Sequence, residues 1–141
     1  MAPNKKYKFF DHTADIGISV YNCNLKDLFV YSAKGMFEIL GDQSAFQSLE
    51  RRDLDIKGEN IEELLHKWLS LLLYYFDSEK IFFTEFTIKL IDKNFLNASV
   101  SGEKYAGKES FLKREIKAVT HHQMEISENR GRYRASVIFD I

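Results

Sequence analysis

From residue 81 to residue 141 the sequence keeps returning to a period of two, and this repeat constrains the fold more than any other feature of the chain. Phe86, Ile88 and Leu90 alternate with Glu85, Thr87 and Lys89; after Asp92, Lys93 and Asn94, Leu96, Ala98 and Val100 alternate with Asn97, Ser99 and Ser101. Successive strand side chains face opposite ways. Each segment therefore predicts a strand with one apolar face, and the short turn between them predicts an antiparallel hairpin. After a polar stretch holding Gly102 and Gly107, residues 115–126 (EIKAVTHHQMEI) predict one long strand. Its two faces carry Ile116, Ala118, His122, Met124 and Ile126 on one side, and Lys117, Val119, His121, Gln123 and Glu125 on the other. SENRGR (127–132) is turn material, and Tyr133, Ala135, Val137, Phe139 and Ile141 set the apolar face of a closing strand.

The first half of the chain reads differently. Residues 5–21 predict two strands around the loop His12-Thr13-Ala14-Asp15, with Ile16, Ile18 and Val20 in alternation. Asn24 with Asp27 then resembles a capping box, and Leu25, Leu28, Phe29, Ser32, Met36, Ile39 and Leu40 recur at helical spacing. Gly41 stands where a helix C′ glycine belongs. Residues 50–57 alternate through Leu54 and Ile56 as a strand. Asn60 and Glu63 open the clearest helix, whose stripe Ile61, Leu64, Leu65, Trp68, Leu72, Tyr75 and Phe76 is widened by Leu69, Leu71 and Leu73. A stripe that wide predicts cover on more than one side. His66 reads as a flank residue of this helix. The order of elements predicts an α+β fold, two helices packed on mainly antiparallel layered β-sheet, in one domain over 1–141.

Composition excludes several classes of function. With 45% apolar and 14% aromatic residues there is material for a packed core, while the net charge of −1 provides no global field for nucleic acid. No strong direct nucleic-acid binding is expected, and any such contact would be local. The single cysteine, Cys23, rules out an internal disulfide and a cysteine-based zinc site. The N-terminal stretch has no apolar run like a secretory signal, and Leu69–Phe76 is too short to span a bilayer. A cytoplasmic protein without a membrane partner is the expectation.

The chemistry-bearing residues are sparse. Asp11, His12 and Asp15 crowd one short loop, which fits either turn chemistry or a ligand set. At the other end, Ile141 has the phase of a buried residue. An anchored Ile141 would hold its α-carboxylate beside the Asp140 side chain, and two adjacent anions repel unless solvent or a cation relieves them. Asp15 would complete three hard oxygen donors, suited to Ca²⁺ or Mg²⁺ rather than Zn²⁺; alternatively Asp140 is a polar residue on a solvated strand end. His121 and His122, adjacent on a strand, would face opposite ways and bind no common metal, leaving His122 half-buried and His121 exposed. Cys23, next to a helix start, reads as a buried or incidental thiol, with a nucleophile of lowered pKa as the alternative. The basic groups Lys5-Lys6-Lys8, Arg51-Arg52, Lys113-Arg114 and Arg130/Arg132/Arg134 read as dispersed solvated faces, with a local phosphate-binding edge as the weaker reading. No P-loop, G-x-S-x-G or G-x-G-x-x-G motif occurs.

FDHTADIGI (10–18), EIKAVTHHQMEI (115–126) and the final VIFDI (137–141) together resemble the archease family, and the resemblance covers essentially the whole chain. The spacing agrees, with Gly102-Glu103 and two predicted helices between the motifs. Relatives commonly read KAVTYH where this chain has His121. The resemblance implies a small α+β protein that is not itself an enzyme. It implies an accessory factor for the RtcB-type RNA ligase, which joins 2′,3′-cyclic phosphate or 3′-phosphate ends to 5′-hydroxyl ends in tRNA splicing and RNA repair. It also implies that the protein promotes ligase guanylylation and so allows multiple turnover. A divalent cation, Ca²⁺ first with Mg²⁺ or Mn²⁺ as alternatives, is implied at Asp15, Asp140 and the Ile141 carboxylate. The competing expectation is a chaperone-like modulator of another RNA-processing enzyme, such as an RNA methyltransferase. A hydrolase using His12 and Asp15 ranks last.

Overall fold

Asn24 and Asn60 start the two helices in the way their residue types predict. In the computed structural model, which describes residues 6–12 and 14–141, each Asn side chain accepts a 2.8 Å bond from the backbone N–H three residues on, that of Asp27 or Glu63. Each bond satisfies one donor that a helix start would otherwise leave open, worth about 1 kcal/mol. Helix α1 runs Leu25–Leu40 and helix α2 runs Ile61–Ser78. Lys5, Thr13 and the side chains of His12 and Asn22 lie outside the described residues. Gly41 closes α1, but not as the expected left-handed cap: its φ is −176°, which any residue adopts. It is glycine because a Cβ there would stand 2.8 Å from the Phe82 ring and 3.0 Å from the Phe111 carbonyl oxygen.

The strands are β1 (Tyr7–His12), β2 (Asp15–Cys23), β3 (Glu50–Lys57), β4 (Ile81–Ile91), β5 (Phe95–Lys104), β6 (Ala118–Val119), β7 (Glu125–Asn129) and β8 (Arg132–Asp140). They form two antiparallel sheets. The first is ordered β1-β2-β8, with β6 and β7 both on the free side of β8; the second is β3-β5-β4. Both helices touch both sheets, α1 through β2 and β4 and α2 through β6 and β4. The helices therefore form a middle layer, which explains the wide stripe of α2: Leu64, Leu65, Trp68, Leu69, Leu72, Leu73 and Phe76 are all buried. Trp68 donates its indole N–H to the Phe29 carbonyl at 2.9 Å, so the largest core side chain also satisfies its polar atom. The fold is the expected α+β arrangement.

The long strand expected over 115–126 is broken. Val119 pairs with Phe139 and Glu125 with Ser136, so five residues, 120–124, stand opposite only Val137 and Ile138 on β8. The odd excess of three flips the side-chain phase. Ala118 is exposed while Ile116 and Val119 are buried, and His122 is exposed rather than half-buried. The excursion turns at Gln123, with φ 52°. His121 leaves the strand and stacks on His66, with ring centroids 3.6 Å apart and planes 15° apart. His66 also donates through Nε2–H to the Val119 carbonyl at 2.8 Å. From the flank of the α2 stripe it thus ties the helix to the edge strand, a contact the sequence did not show. Cys23 is buried, and burial pushes its thiol up to about 11, opposite to the lowered value considered for a nucleophile.

Candidate metal centre

The two acidic residues separated by most of the chain come together through strand register. β2 begins at Asp15 and β8 ends at Asp140, and the two residues are direct antiparallel partners. Directly opposed side chains project from the same face with Cβ atoms about 4.5–5.5 Å apart. On β1, Asp11 pairs with Ile16 and His12 with Asp15, so Asp11 belongs to the face opposite Asp15. Alternation along β2 thus selects one of the two aspartates in the loop. Ala14 turns the chain between β1 and β2 with φ 59°, a left-handed conformation that costs a residue with a Cβ about 1 kcal/mol.

The chain end is held from several sides. The Lys117 N–H donates to the Asp140 carbonyl at 2.7 Å. Thr120 donates twice to the Ile138 carbonyl, from its N–H at 3.1 Å and its hydroxyl at 2.9 Å, and the hydroxyl accepts from the His122 N–H at 3.2 Å. Ile141 is half-buried and packs against the core. The outward face beside the aspartates is closed by an apolar row. Gly17 faces Phe10 on β1 and Ile138 on β8. The Phe10 ring occupies the place of a Gly17 Cβ, and Ile138 is fully buried. From the sequence, Thr120 stood out only as the Thr of the KAVT motif, without this anchoring role, and the apolar row was not singled out.

The donor set suits a hard divalent ion. Asp15 and Asp140 are like charges directly opposed across a ladder, an arrangement that destabilises a sheet unless something neutralises it. Among the described residues no three His, Cys, Asp or Glu side chains gather to hold a metal. Ile141, the next residue after Asp140, is half-buried at the same end of the sheet and could add its α-carboxylate to the two aspartates as a further oxygen donor. Lys117 is exposed, and its contribution in this structure is the backbone bond to Asp140.

These features lie in a chain that matches the model of the Archease protein family over residues 7–141. The chain belongs to the archease family. It is 39% identical over 130 residues to the protein archease of Sulfurisphaera tokodaii, covering 92% of this chain and 93% of that one. It is 38% identical over 141 residues to the protein archease of Methanothermobacter thermautotrophicus, covering 97% and 99% of the two chains. The fold matches the solution structure of protein 1598 of Methanobacterium thermoautotrophicum with a TM-score of 0.80 at 37% identity, covering 98% of this archease and all of that chain. No described helix of this archease is long and apolar enough to cross a membrane.

Proposed function

We propose that this archease is a non-catalytic, metal-binding activator of an RtcB-type RNA ligase in the cytoplasm, promoting ligase guanylylation and multiple turnover. Family membership supports the ligase reading, and one observation carries the metal: Asp15 stands opposite Asp140 at the end of the chain. Asp15, Asp140 and the Ile141 carboxylate are the ligands in this reading. A divalent ion bound there would supply positive charge next to a ligase site that handles phosphates. The protein's own residues do the positioning. Thr120 and Lys117 fix the end of β8 through its carbonyls, and the Phe10–Gly17–Ile138 row keeps β2 and β8 in register beneath the carboxylates. The acidic tip can then approach an anionic cleft without like-charge repulsion.

Ligation time courses at limiting ligase test the proposal. Wild type is expected to convert a single turnover into many. Asp15→Ala and Asp140→Ala are expected to fold normally and lose the stimulation, and so is a chain extended by one residue beyond Ile141, which removes the free carboxylate from its place. Normal stimulation by both aspartate variants would sink the metal tip. Failure of the wild-type protein to stimulate would sink the ligase reading.

A further inference from the structure

The outward face of the first sheet carries a second charged feature, at the end opposite the aspartates. The β7–β8 hairpin turns through Arg130 and Gly131, both with positive φ (54° and 77°), the geometry of a type I′ turn. Alternation along β8 then places Arg132 and Arg134 on one face, about 6.8 Å apart along the strand. Arg134 borders a groove of about 600 Å³ that also takes in Arg130, Arg132, Ser127 and Asn129. On its other flank it meets Lys8, Ser19 and the half-exposed Tyr21. The four cations Lys8, Arg130, Arg132 and Arg134 are exposed, and none has an ion-pair partner among the described residues. The nearest acidic side chains are few: Glu125 borders the face beside Arg134, and Glu128 lies on the opposite face with Tyr133.

Unmatched guanidinium groups at strand spacing, hydroxyls between them and an aromatic ring on an open antiparallel sheet are the recognition chemistry of a single nucleic-acid strand. The cations meet phosphates and a tyrosine stacks a base. We infer that this face of the first sheet, from Lys8 and Tyr21 across Arg134 to Arg132, binds the backbone of a single-stranded nucleic acid. The inference goes beyond the ligase reading and does not rest on it, because it concerns the opposite end of the face and needs no partner protein. With a net charge of −1 the attraction is local, so binding is weak and confined to low salt.

Fluorescence anisotropy with a labelled twelve-nucleotide oligouridylate and the whole protein tests it. Contact with three phosphates gives a slope of log K against log salt near −2, and so about a twentyfold loss of affinity between 50 and 200 mM salt. Arg132→Ala/Arg134→Ala is expected to weaken binding at 50 mM salt by at least tenfold and to bring the slope to about −0.7. Tyr21→Ala is expected to weaken binding about tenfold without changing the slope, as loss of a stack does. Both substitutions are on partly or fully exposed side chains, and amide shift mapping on the unmodified protein gives an independent readout, with changes expected at Ser19, Tyr21, Ser127 and Arg134. Unchanged affinity and slope in the double arginine variant overturn the inference. So does equal binding of polyglutamate, which would make the face a general anion surface, and so do amide shifts confined to the second sheet.

Discussion

Each of the two sheets has one face on the helices and one turned outward, and the outward faces are built in opposite ways. On the second sheet charges neutralise each other side by side. Arg51 sits 2.9 Å and Lys89 3.6 Å from Asp53, and Asn97 donates to Asp55 at 2.6 Å. Leu90 stands there 63% exposed, and nothing covers it. On the first sheet the charges are mostly sorted instead: aspartates at one end, Lys8 and the arginines at the other, Glu125 the one acid among the described residues beside Arg134, and the apolar row of Phe10, Gly17 and Ile138 nearer the acidic end. A face that only has to dissolve mixes its charges. One that segregates them keeps electrostatic energy available for a ligand, at some cost to the folded state.

The largest test of this contrast is a pair of truncations. Ile138→Ala should cost about 2–5 kcal/mol, because it empties a fully buried site on the first sheet. Leu90→Ala should barely move a urea denaturation midpoint, since its side chain is mostly in water. Equal effects would erase the difference between the two outward faces.

Cation binding comes next. Thermal unfolding in Ca²⁺ at a hundred times its Kd should show about 2.7 kcal/mol of added stability over the protein in chelator. Asp140→Asn should lose that increment, yet match or slightly exceed wild type in chelator, because the opposed carboxylates no longer repel. A variant that keeps the Ca²⁺ increment would place the ion elsewhere. A smaller effect is expected at the turn leading into Asp15: Ala14→Gly should gain up to about 1 kcal/mol by relieving the left-handed φ, measured by the same denaturation.

The smallest effect concerns the edge of the first sheet, where it leans on α2. Burial, with His121 stacked alongside, holds the His66 imidazole below its ordinary value, against the opposing pull of the Val119 carbonyl and Glu63. As pH falls through about 6.5 the unfolded chain takes up this proton before the folded one does. Stability contributed by neutral His66 is therefore present at pH 7.5, declines as pH falls through that region, and levels off once folded His66 is protonated. The gap in urea midpoint between wild type and His66→Gln should narrow from pH 7.5 to 5.5, and amide exchange over residues 117–124 should quicken. A constant gap would mean that His66 does not titrate within this range.

Local rules carried much of the fold. Both helix starts were legible because an asparagine cap acts within three residues, and the β4–β5 hairpin because alternation and turn residues are contiguous. The break in 115–126 was not. The alternation of those residues is uninterrupted, and only pairing with β8 shows that three residues are surplus. Gly41 was placed correctly as the end of a helix but for another reason, since the Phe82 ring and the Phe111 carbonyl that exclude a Cβ lie far along the chain. The arginines of 130–134 looked dispersed, because a list of charges does not say which of them lack partners.

By itself, the sequence determined which segments are helix and which are strand, which side of each is apolar, and which oxygen-bearing residues were candidates for a cation. Those properties arise from side chains a few positions apart. Only the tertiary structure decided that β8 pairs with β2 in the register that puts Asp140 opposite Asp15, leaves Asp11 on the other face, and sends His121 onto His66. Strand pairing joins residues more than a hundred positions apart. A shift of one residue in that pairing would move every side chain to the other face, so proximity at the site follows from register and not from composition.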